Sequence, residues 1–465
     1  MTAADTRPET FRASLGRIVP LAWPVFVGQI AVLAFSTVDT VLLARHAATD
    51  LAALSVGSAA YLTVFIGFMG VVLALAPIAG RLYGAGDLAG AGRQVHQTVW
   101  IALGLAVGGS GLLATGQPFL WLAGGALEPE VERKVRGYLL ALAFSLPASL
   151  LFTIYRGFNT AVSRPKAVMA LQLGGLALKI PLSVLFVFGL PAFGLESLGA
   201  VGCGIATCIA MWMQVLLALV VLRRDRFYAP FRLFGRGLDR PHRREIGAVL
   251  ALGLPMGAAI FVEVTGLAVM GILIARLSSI SVAGHQIALN LVALLFMMSL
   301  AIGNATGTLA AQRIGAGAPA AAWRISWHGL AFGTGLAAVV GCTVYALRVP
   351  VLGLYTHDAA VAAAALPLLA WVALFHLADA AQTLAAFVLR AWHVTRAPLA
   401  IYAFAVWGVG LGGGWLLAEK LPGMPADLRG APGYWLAATI GLVLTALALC
   451  ALMRWMQRRP AGTSA

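Results

Sequence analysis

Apolar residues along this chain form long stretches that are separated by short polar segments. Each stretch has about 20 residues or more, the length that an α-helix needs to cross the hydrocarbon core of a membrane. Twelve such stretches cover residues 19–45, 51–80, 93–116, 134–157, 166–189, 197–222, 244–276, 282–312, 324–346, 359–390, 397–418 and 432–453. The pattern therefore predicts an all-α polytopic membrane protein with twelve transmembrane helices.

The composition agrees with this prediction. Hydrophobic residues make up 61% of the 465 residues and charged residues only 11%. The first 17 residues are polar and lack a short apolar stretch ending in a cleavage site, so we expect no signal peptide. The four cysteines lie in apolar stretches at spacings that match neither a metal site nor a disulfide framework, and we interpret them as packing residues.

The net charge of +15 is concentrated in a few loops. The richest basic segment follows the sixth stretch, where eight arginines lie between Arg223 and Arg244. A nucleic-acid site would explain such a cluster, but so would an anchor beside anionic lipid, which we favour. With the N-terminus inside, most lysines and arginines fall on the cytoplasmic side. We therefore expect a bacterial inner-membrane protein with both termini cytoplasmic and no nucleic-acid partner.

The chain contains an internal repeat, because its two halves align without a gap at an offset of 231 residues. The matched positions include Pro24 with Pro255, Arg45 with Arg276, and the Gly84–Gly86 turn with Gly315–Gly317. Six helices in each half give both halves the same topology. We therefore predict two six-helix lobes related by pseudo-twofold symmetry along the membrane normal. Repeats of this kind favour a substrate cavity at the lobe interface.

This organisation predicts five segments. They are a cytoplasmic tail at 1–17, an N-terminal lobe at 18–224, a basic cytoplasmic linker at 225–242, a C-terminal lobe at 243–455 and a cytoplasmic tail at 456–465.

Three carboxylates interrupt the apolar stretches: Asp39, Glu263 and Asp379. A charge at the bilayer centre costs about 2.5–3.5 kcal/mol on insertion scales, so such residues usually face a protein-lined cavity, pair with another group or take part in function. A carboxylate that only bonds a helix hydroxyl is the alternative. We favour a functional role for these three residues.

At these residues the chain resembles the multidrug and toxic compound extrusion (MATE) family, in its NorM-type branch. The first stretch has Pro24 followed by Val38-Asp39-Thr40, and the seventh has Gly253-Leu254-Pro255 followed by Glu263-Val264-Thr265. Further resemblances are Tyr83-Gly84-Ala85-Gly86, Gly284-His285-Gln286-Ile287, and Asp379 with Gln382 before Leu389-Arg390. The resemblance covers residues 15–455.

The resemblance implies an antiporter that expels drug-like organic cations or amphipathic drugs in exchange for protons or sodium ions. It implies that Glu263 and Asp379 form the cation-coupling site, where a sodium ion could also bind, and that Asp39 is the acidic residue of the N-terminal lobe. Two positions depart from the family pattern: Phe375 replaces a tyrosine, and Lys179 replaces an asparagine. The loss of the tyrosine hydroxyl favours protons over sodium, because a hard cation needs several oxygen ligands.

Other polar residues extend the candidate site. Phe375, His376, Asp379 and Gln382 share one helix face, so His376 is a candidate hydrogen-bond donor or proton relay, or else a structural histidine. Gln286, Asn290 and Gln382 are candidates for a substrate cavity.

Asp39 and Lys179 are predicted to form a buried ion pair in the N-terminal lobe. Asp39 lies six residues from the outer end of its helix and Lys179 ten residues, which is about 9 Å and about 15 Å. Either charge alone would be unfavourable at that depth, whereas the two together neutralise one another.

Three other classes of function fit less well. A lipid-linked substrate flippase would need basic residues in the cavity, and Lys179 is the one basic residue that we place deep in a stretch. A scaffold or a channel would not explain the repeat with carboxylates in both halves. An enzyme is not expected, and neither is a cofactor, because the glycine turns lack the Gly-Lys-Ser/Thr of a phosphate loop. We expect the protein to be a monomer in a lipid bilayer, and we expect an ion gradient to drive its activity.

Overall fold

The computed structural model describes residues 9–122, 128–190, 194, 196–235, 237–420, 425 and 428–458. Within them, twelve helices are long and apolar enough to cross a membrane, as the sequence predicts. We number them spans 1 to 12. They are Phe11–His46, Ala48–Gly84, Leu88–Thr115, Pro129–Ala161, Pro165–Phe188, Gly199–Arg224, Arg243–Ala275, Ser279–Gly315, Pro319–Ala346, Ala359–Ala391, Arg396–Lys420 and Ala431–Arg458.

Two spans are composite. Span 2 consists of the helices Ala48–Val72 and Leu75–Gly84. Span 11 begins as an α-helix, Arg396–Tyr402, and continues with the π-helix Ala403–Gly412, the short helix Gly413–Trp415 and a second π-helix, Leu416–Lys420. Short helices also occur at Gln117–Leu122, Arg226–Phe231 and Arg348–Tyr355.

The chain divides into two compact units. The first unit comprises Met1–Phe26 and Ala258–Ala465, and the second comprises Val27–Gly257. These boundaries fall inside spans 1 and 7, whereas the sequence places the lobe boundaries in loops. Pro24 and Pro255 lie two or three residues before the two boundaries, and a proline inside a helix removes a backbone hydrogen bond and permits bending.

Each unit is built around one central helix. In the Val27–Gly257 unit, span 4 packs against spans 2, 3, 5 and 6. In the other unit, span 10 packs against spans 8, 9 and 12. Spans 4 and 10 occupy equivalent places in the sequence repeat, so the repeat is also visible in the packing within each unit.

Span 1 starts earlier than the sequence predicts, at Phe11 instead of residue 19. Contacts with distant residues hold this extension. Ser14 Oγ lies 2.8 Å from His328 Nδ1, and Glu9 forms an ion pair of 2.7 Å with Arg313. Residues 11–17 therefore belong to the span, although the sequence places them in a polar tail.

The basic linker is anchored to span 4 and to the segment after it. The Tyr228 hydroxyl donates to Asn159 Oδ1 at 2.5 Å, and Arg164 pairs with Asp225 at 2.5 Å. The backbone N–H of Phe227 and the Arg164 guanidinium hold the pKa of Asp225 below its ordinary value. These contacts fix the start of the linker, Asp225–Tyr228, against the Val27–Gly257 unit.

Candidate functional site

The two carboxylates of the Ala258–Ala465 unit lie far from the ends of their helices. Glu263 follows 20 residues of span 7 and is half-buried, whereas Asp379 lies on span 10 and is buried. Span 10 is the central helix of its unit, so its inward face is enclosed by neighbouring helices. The site therefore has the low dielectric in which an uncompensated charge is costly.

Gln382 joins these two carboxylates. Its Nε2 donates to Glu263 Oε1 and to Asp379 Oδ1, both at 2.9 Å. The sequence assigns Gln382 to a substrate cavity, whereas the structure places its amide between the acids. One amide group thus holds two acidic side chains from different spans around a single point.

Tyr402, which the sequence analysis did not identify, completes the arrangement. Its hydroxyl donates to Gln382 Oε1, and the side chain is buried. This bond fixes which way the amide points, because the oxygen is engaged by Tyr402 and the nitrogen is left for the carboxylates. The signal that the sequence offered for Tyr402 was a tyrosine near the start of an apolar span.

The π-helix of span 11 begins directly after Tyr402. Within it, Trp407 Nε1 donates to the carbonyl oxygen of Val262 at 3.1 Å, next to Glu263 in the chain. π-Helical turns are rare and occur frequently at functional sites. Here they allow one span to contact both the amide and the backbone beside Glu263.

Arg390 adds a positive charge near this carboxylate pair. It lies on span 10, close enough to Glu263 for a Coulombic attraction, and its guanidinium stacks 4.8 Å from the Phe387 ring. The attraction offsets part of the negative charge without placing a basic group on Asp379.

His376 and Phe375 lie on span 10 as expected, but they contact other groups. His376 is buried, and its Nε2 has no hydrogen-bond partner among the described residues, so this nitrogen does not donate to Asp379. Phe375 packs edge-on against Trp435, with ring centroids 5.4 Å apart. Phe375 therefore belongs to the apolar packing of its unit.

Gln286 and Asn290 are exposed on span 8. Asn290 Oδ1 accepts a hydrogen bond from the Tyr355 hydroxyl at 2.9 Å. Within the part of the chain that the structure describes, neither side chain forms a hydrogen bond with Glu263 or Asp379. The proposed substrate role of these two residues stays a prediction.

The predicted ion pair between Asp39 and Lys179 is present. Lys179 Nζ lies 2.6 Å from Asp39 Oδ2 and also donates to the Phe35 carbonyl at 3.2 Å. The two side chains are 8% and 1% exposed, so water screens the attraction little. The other carboxylate oxygen of Asp39, Oδ1, is also buried.

Lys179 is not the only basic residue within a span. Arg156 lies five residues before the end of span 4, half-buried, and the sequence analysis did not count it among the deep basic residues.

The model of the MatE family matches two segments of the chain, residues 24–185 and 255–416. Both ends of the second segment lie 231 residues beyond those of the first, which is the offset of the internal repeat. The two matches confirm the repeat.

Curated relatives match nearly the whole chain. A probable multidrug resistance protein NorM of Aromatoleum aromaticum is 38% identical over 453 residues, which cover 97% of this chain and 96% of the relative. The multidrug resistance protein PmpM of Pseudomonas aeruginosa is 34% identical over 449 residues, covering 96% and 93%.

Solved structures share the fold. The eukaryotic MATE transporter AtDTX14 aligns with a TM-score of 0.84 at 17% identity, covering 95% of this chain and 96% of that one. A multidrug resistance MATE transporter of the MOP superfamily, in its outward-facing conformation, aligns with a TM-score of 0.83 at 16% identity, with the same coverage. The family model, the relatives and the shared fold agree: this chain is a multi-pass membrane protein that belongs to the MATE family, in its NorM-type branch.

Proposed function

We propose that this protein is a secondary active efflux pump that exports organic cations or amphipathic drugs in exchange for protons. The observation that carries the proposal is the Gln382 amide between Glu263 and Asp379. The relatives that are named multidrug resistance proteins support the direction and class of transport.

The site is suited to antiport because it favours one positive charge at a time. Two ionised carboxylates in low dielectric repel one another, and a single amide donor does not cancel their charge. A proton on either acid relieves the repulsion, and a bound substrate cation relieves it too. Whichever occupies the site makes the other less favourable, which couples their movements.

The orientation of Gln382 favours protons over sodium. A sodium ion between the two acids would be best served by further oxygen ligands, as hard cations are. The amide instead presents its nitrogen there, because Tyr402 engages its oxygen. A proton needs no such ligand set, so protonation requires no rotation of the amide.

Transport by purified protein in proteoliposomes tests the proposal, with ethidium as substrate and a pH gradient or a sodium gradient imposed separately. We expect transport with the pH gradient alone, and loss of transport in Glu263→Gln and Asp379→Asn. Glu128→Gln is a matched control, because Glu128 is exposed outside the spans. Wild-type rates in both neutral variants would contradict the assigned site, and transport by the sodium gradient alone would contradict proton coupling.

We further propose that the protein resides in a bacterial inner membrane with both termini cytoplasmic. The arginine-rich linker supports this orientation, because positive loops remain on the cytoplasmic side.

A further inference from the structure

Arg156 occupies an unusual place in span 4. From Phe152 to Val162 every residue of this helix is buried except Arg156, which is half-exposed. Span 4 is enclosed by spans 2, 3, 5 and 6 of its own unit. Part of the Arg156 side chain thus remains accessible, although its helix is enclosed by other spans.

Two neutral groups contact the guanidinium. One Nη donates to Gln29 Oε1 at 3.3 Å, which is long for a charged donor, and the other donates at 3.5 Å to Met69 Sδ, a weak acceptor. Among the described residues, no carboxylate forms an ion pair with it. Lys179, in the same unit, is by contrast neutralised by Asp39.

A guanidinium with free donors in low dielectric is suited to bind a carboxylate through two parallel hydrogen bonds. Gln29 accepts from Arg156 through its oxygen, which leaves its amide N–H groups for the same anion. Met69 adds a polarisable apolar surface that accommodates varied ring systems.

We propose that Arg156, with Gln29, forms an anion subsite that recognises the carboxylate of zwitterionic amphipathic substrates. The subsite rests on the proposed efflux function and assigns to Arg156 and Gln29 the recognition of substrates that carry a carboxylate beside their positive charge. It lies in the Val27–Gly257 unit, whereas the carboxylates Glu263 and Asp379 belong to the other unit.

Two dyes that differ in one group test the subsite: tetramethylrhodamine, which has a free carboxylate, and its methyl ester, which does not. Binding to purified protein is measured by fluorescence anisotropy, and transport is measured in proteoliposomes. Hydrogen bonds to charged groups contribute about 1.5–3 kcal/mol, so Arg156→Gln should weaken binding of the free acid about 10- to 100-fold. Binding and transport of the ester should change little.

Two further variants sharpen the comparison. Arg156→Lys keeps the charge but loses the planar pair of donors, so its affinity for the free acid should lie between those of the wild type and Arg156→Gln. Arg223→Gln removes an exposed arginine at the end of span 6 and should bind both dyes as the wild type does. Thermal unfolding of each variant shows whether the fold is retained.

Several results would overturn the subsite. An equal loss of affinity for both dyes in Arg156→Gln would assign Arg156 a structural role. Unchanged affinity for the free acid would remove it from recognition altogether. Arg156-dependent movement of fluorescent phosphatidylglycerol, with no effect on either dye, would assign the guanidinium to a lipid phosphate. Absence of ester transport in the wild type contradicts the efflux function instead, while the binding comparison still decides the subsite.

Discussion

Asp39 and Glu263 are balanced by different groups, although both are acids within membrane helices. Asp39 has a full positive charge at 2.6 Å, whereas Glu263 has an amide donor at 2.9 Å and a more distant arginine. A lysine in contact favours the ionised acid, so we expect Asp39 to be a poorer proton carrier than Glu263 or Asp379. Glu263 and Asp379 share a neutral donor, and we expect the proton to be taken up there.

Removing the lysine of the buried pair should therefore be more harmful than removing both charges. Lys179→Ala leaves Asp39 ionised in low dielectric, which costs about 3–5 kcal/mol. The double variant Asp39→Asn with Lys179→Asn should recover much of that stability. Thermal unfolding in detergent measures both effects, and Lys166→Ala, an exposed lysine on the same span, is the control. A single variant as stable as the wild type would show that the pair contributes little.

Tyr402 should matter through the orientation of Gln382. In Tyr402→Phe the amide loses the donor that fixes its oxygen, at a cost of about 0.5–1.5 kcal/mol, so we expect proton-driven efflux about 2- to 12-fold slower. Initial rates in proteoliposomes measure the change. Tyr345→Phe, an exposed tyrosine on span 9, should have the wild-type rate. The proposed role of Tyr402 fails if the two variants behave alike.

The residue contacts were only partly predictable from the sequence. The contact between Asp39 and Lys179 was predictable, because two opposite charges at matching depth in apolar helices have few other partners. The contact of Tyr402 with Gln382 was not, because it depends on the π-helical turns that follow Tyr402 in span 11. Arg156 was missed because helix ends read from hydropathy placed it at the membrane boundary.

Close helix packing depends on a few glycines. Gly70 of span 2 lies against the backbone of Gly257, and a Cβ at Gly70 would overlap the Gly257 Cα. Gly67, one turn earlier, has open space at its Cβ position. Both residues are in the Val27–Gly257 unit, so they give a matched test of packing at the start of span 7.

Gly70→Ala should destabilise the protein by about 1–3 kcal/mol, the usual cost of overpacking where backbone must move. Gly67→Ala should be neutral or slightly stabilising, because alanine favours the helix. The difference in unfolding temperature between the two variants measures the effect. Equal temperatures would mean that spans 2 and 7 separate at no cost.

Asp50, whose side chain is fully buried, joins the neighbouring ends of four spans. It accepts from Ala200 N at 2.9 Å at the start of span 6, from His46 at 2.7 Å and from Lys134 at 3.1 Å. Glu130 contacts the same lysine at 2.9 Å but is 48% exposed. One lysine thus has a buried and an exposed acidic partner.

These two acids should differ in their effect on stability. Asp50→Asn leaves buried donors uncompensated and should cost about 3–5 kcal/mol. Glu130→Gln should cost about 0–1 kcal/mol, as for other surface pairs. Chemical or thermal unfolding compares the two variants directly. A larger loss in Glu130→Gln would show that the exposed acid carries the network.

Hydropathy predicted the number and order of the spans because membrane length is a strong constraint on every one of them. It was less accurate at their ends, where tertiary contacts decide. Span 1 extends to Phe11 because Ser14 and Glu9 bind residues of spans 8 and 9 that are about 300 positions away. Such contacts leave no local mark in the sequence.

For the molecule as a whole, the repeat identifies equivalent helices but does not show which contacts each half of a helix makes. The lobe boundaries predicted from the sequence, at 18 and 243, follow the loops. In the structure the chain passes from one compact unit to the other after Phe26 and after Gly257, inside spans 1 and 7. Both boundaries lie close to the repeated prolines Pro24 and Pro255. The sequence repeat pairs these two prolines with one another, but it does not place unit boundaries beside them.

The orientation of the whole molecule follows from its charge distribution and can be tested with two exposed positions. Arg232 lies in the basic linker and His357 in the loop before span 10, so an odd number of spans separates them and they must face opposite sides. Since positive loops stay in the cytoplasm, Arg232 should be inside and His357 outside.

In a variant whose four natural cysteines are replaced by alanine, His357→Cys should react with a membrane-impermeant maleimide in intact cells. Arg232→Cys should react only after the membrane is opened, which also controls for the accessibility of that position. The opposite pattern would place the arginine-rich linker outside, where anionic cytoplasmic lipid could not hold it, and would reverse the direction of export that the proposed proton exchange requires.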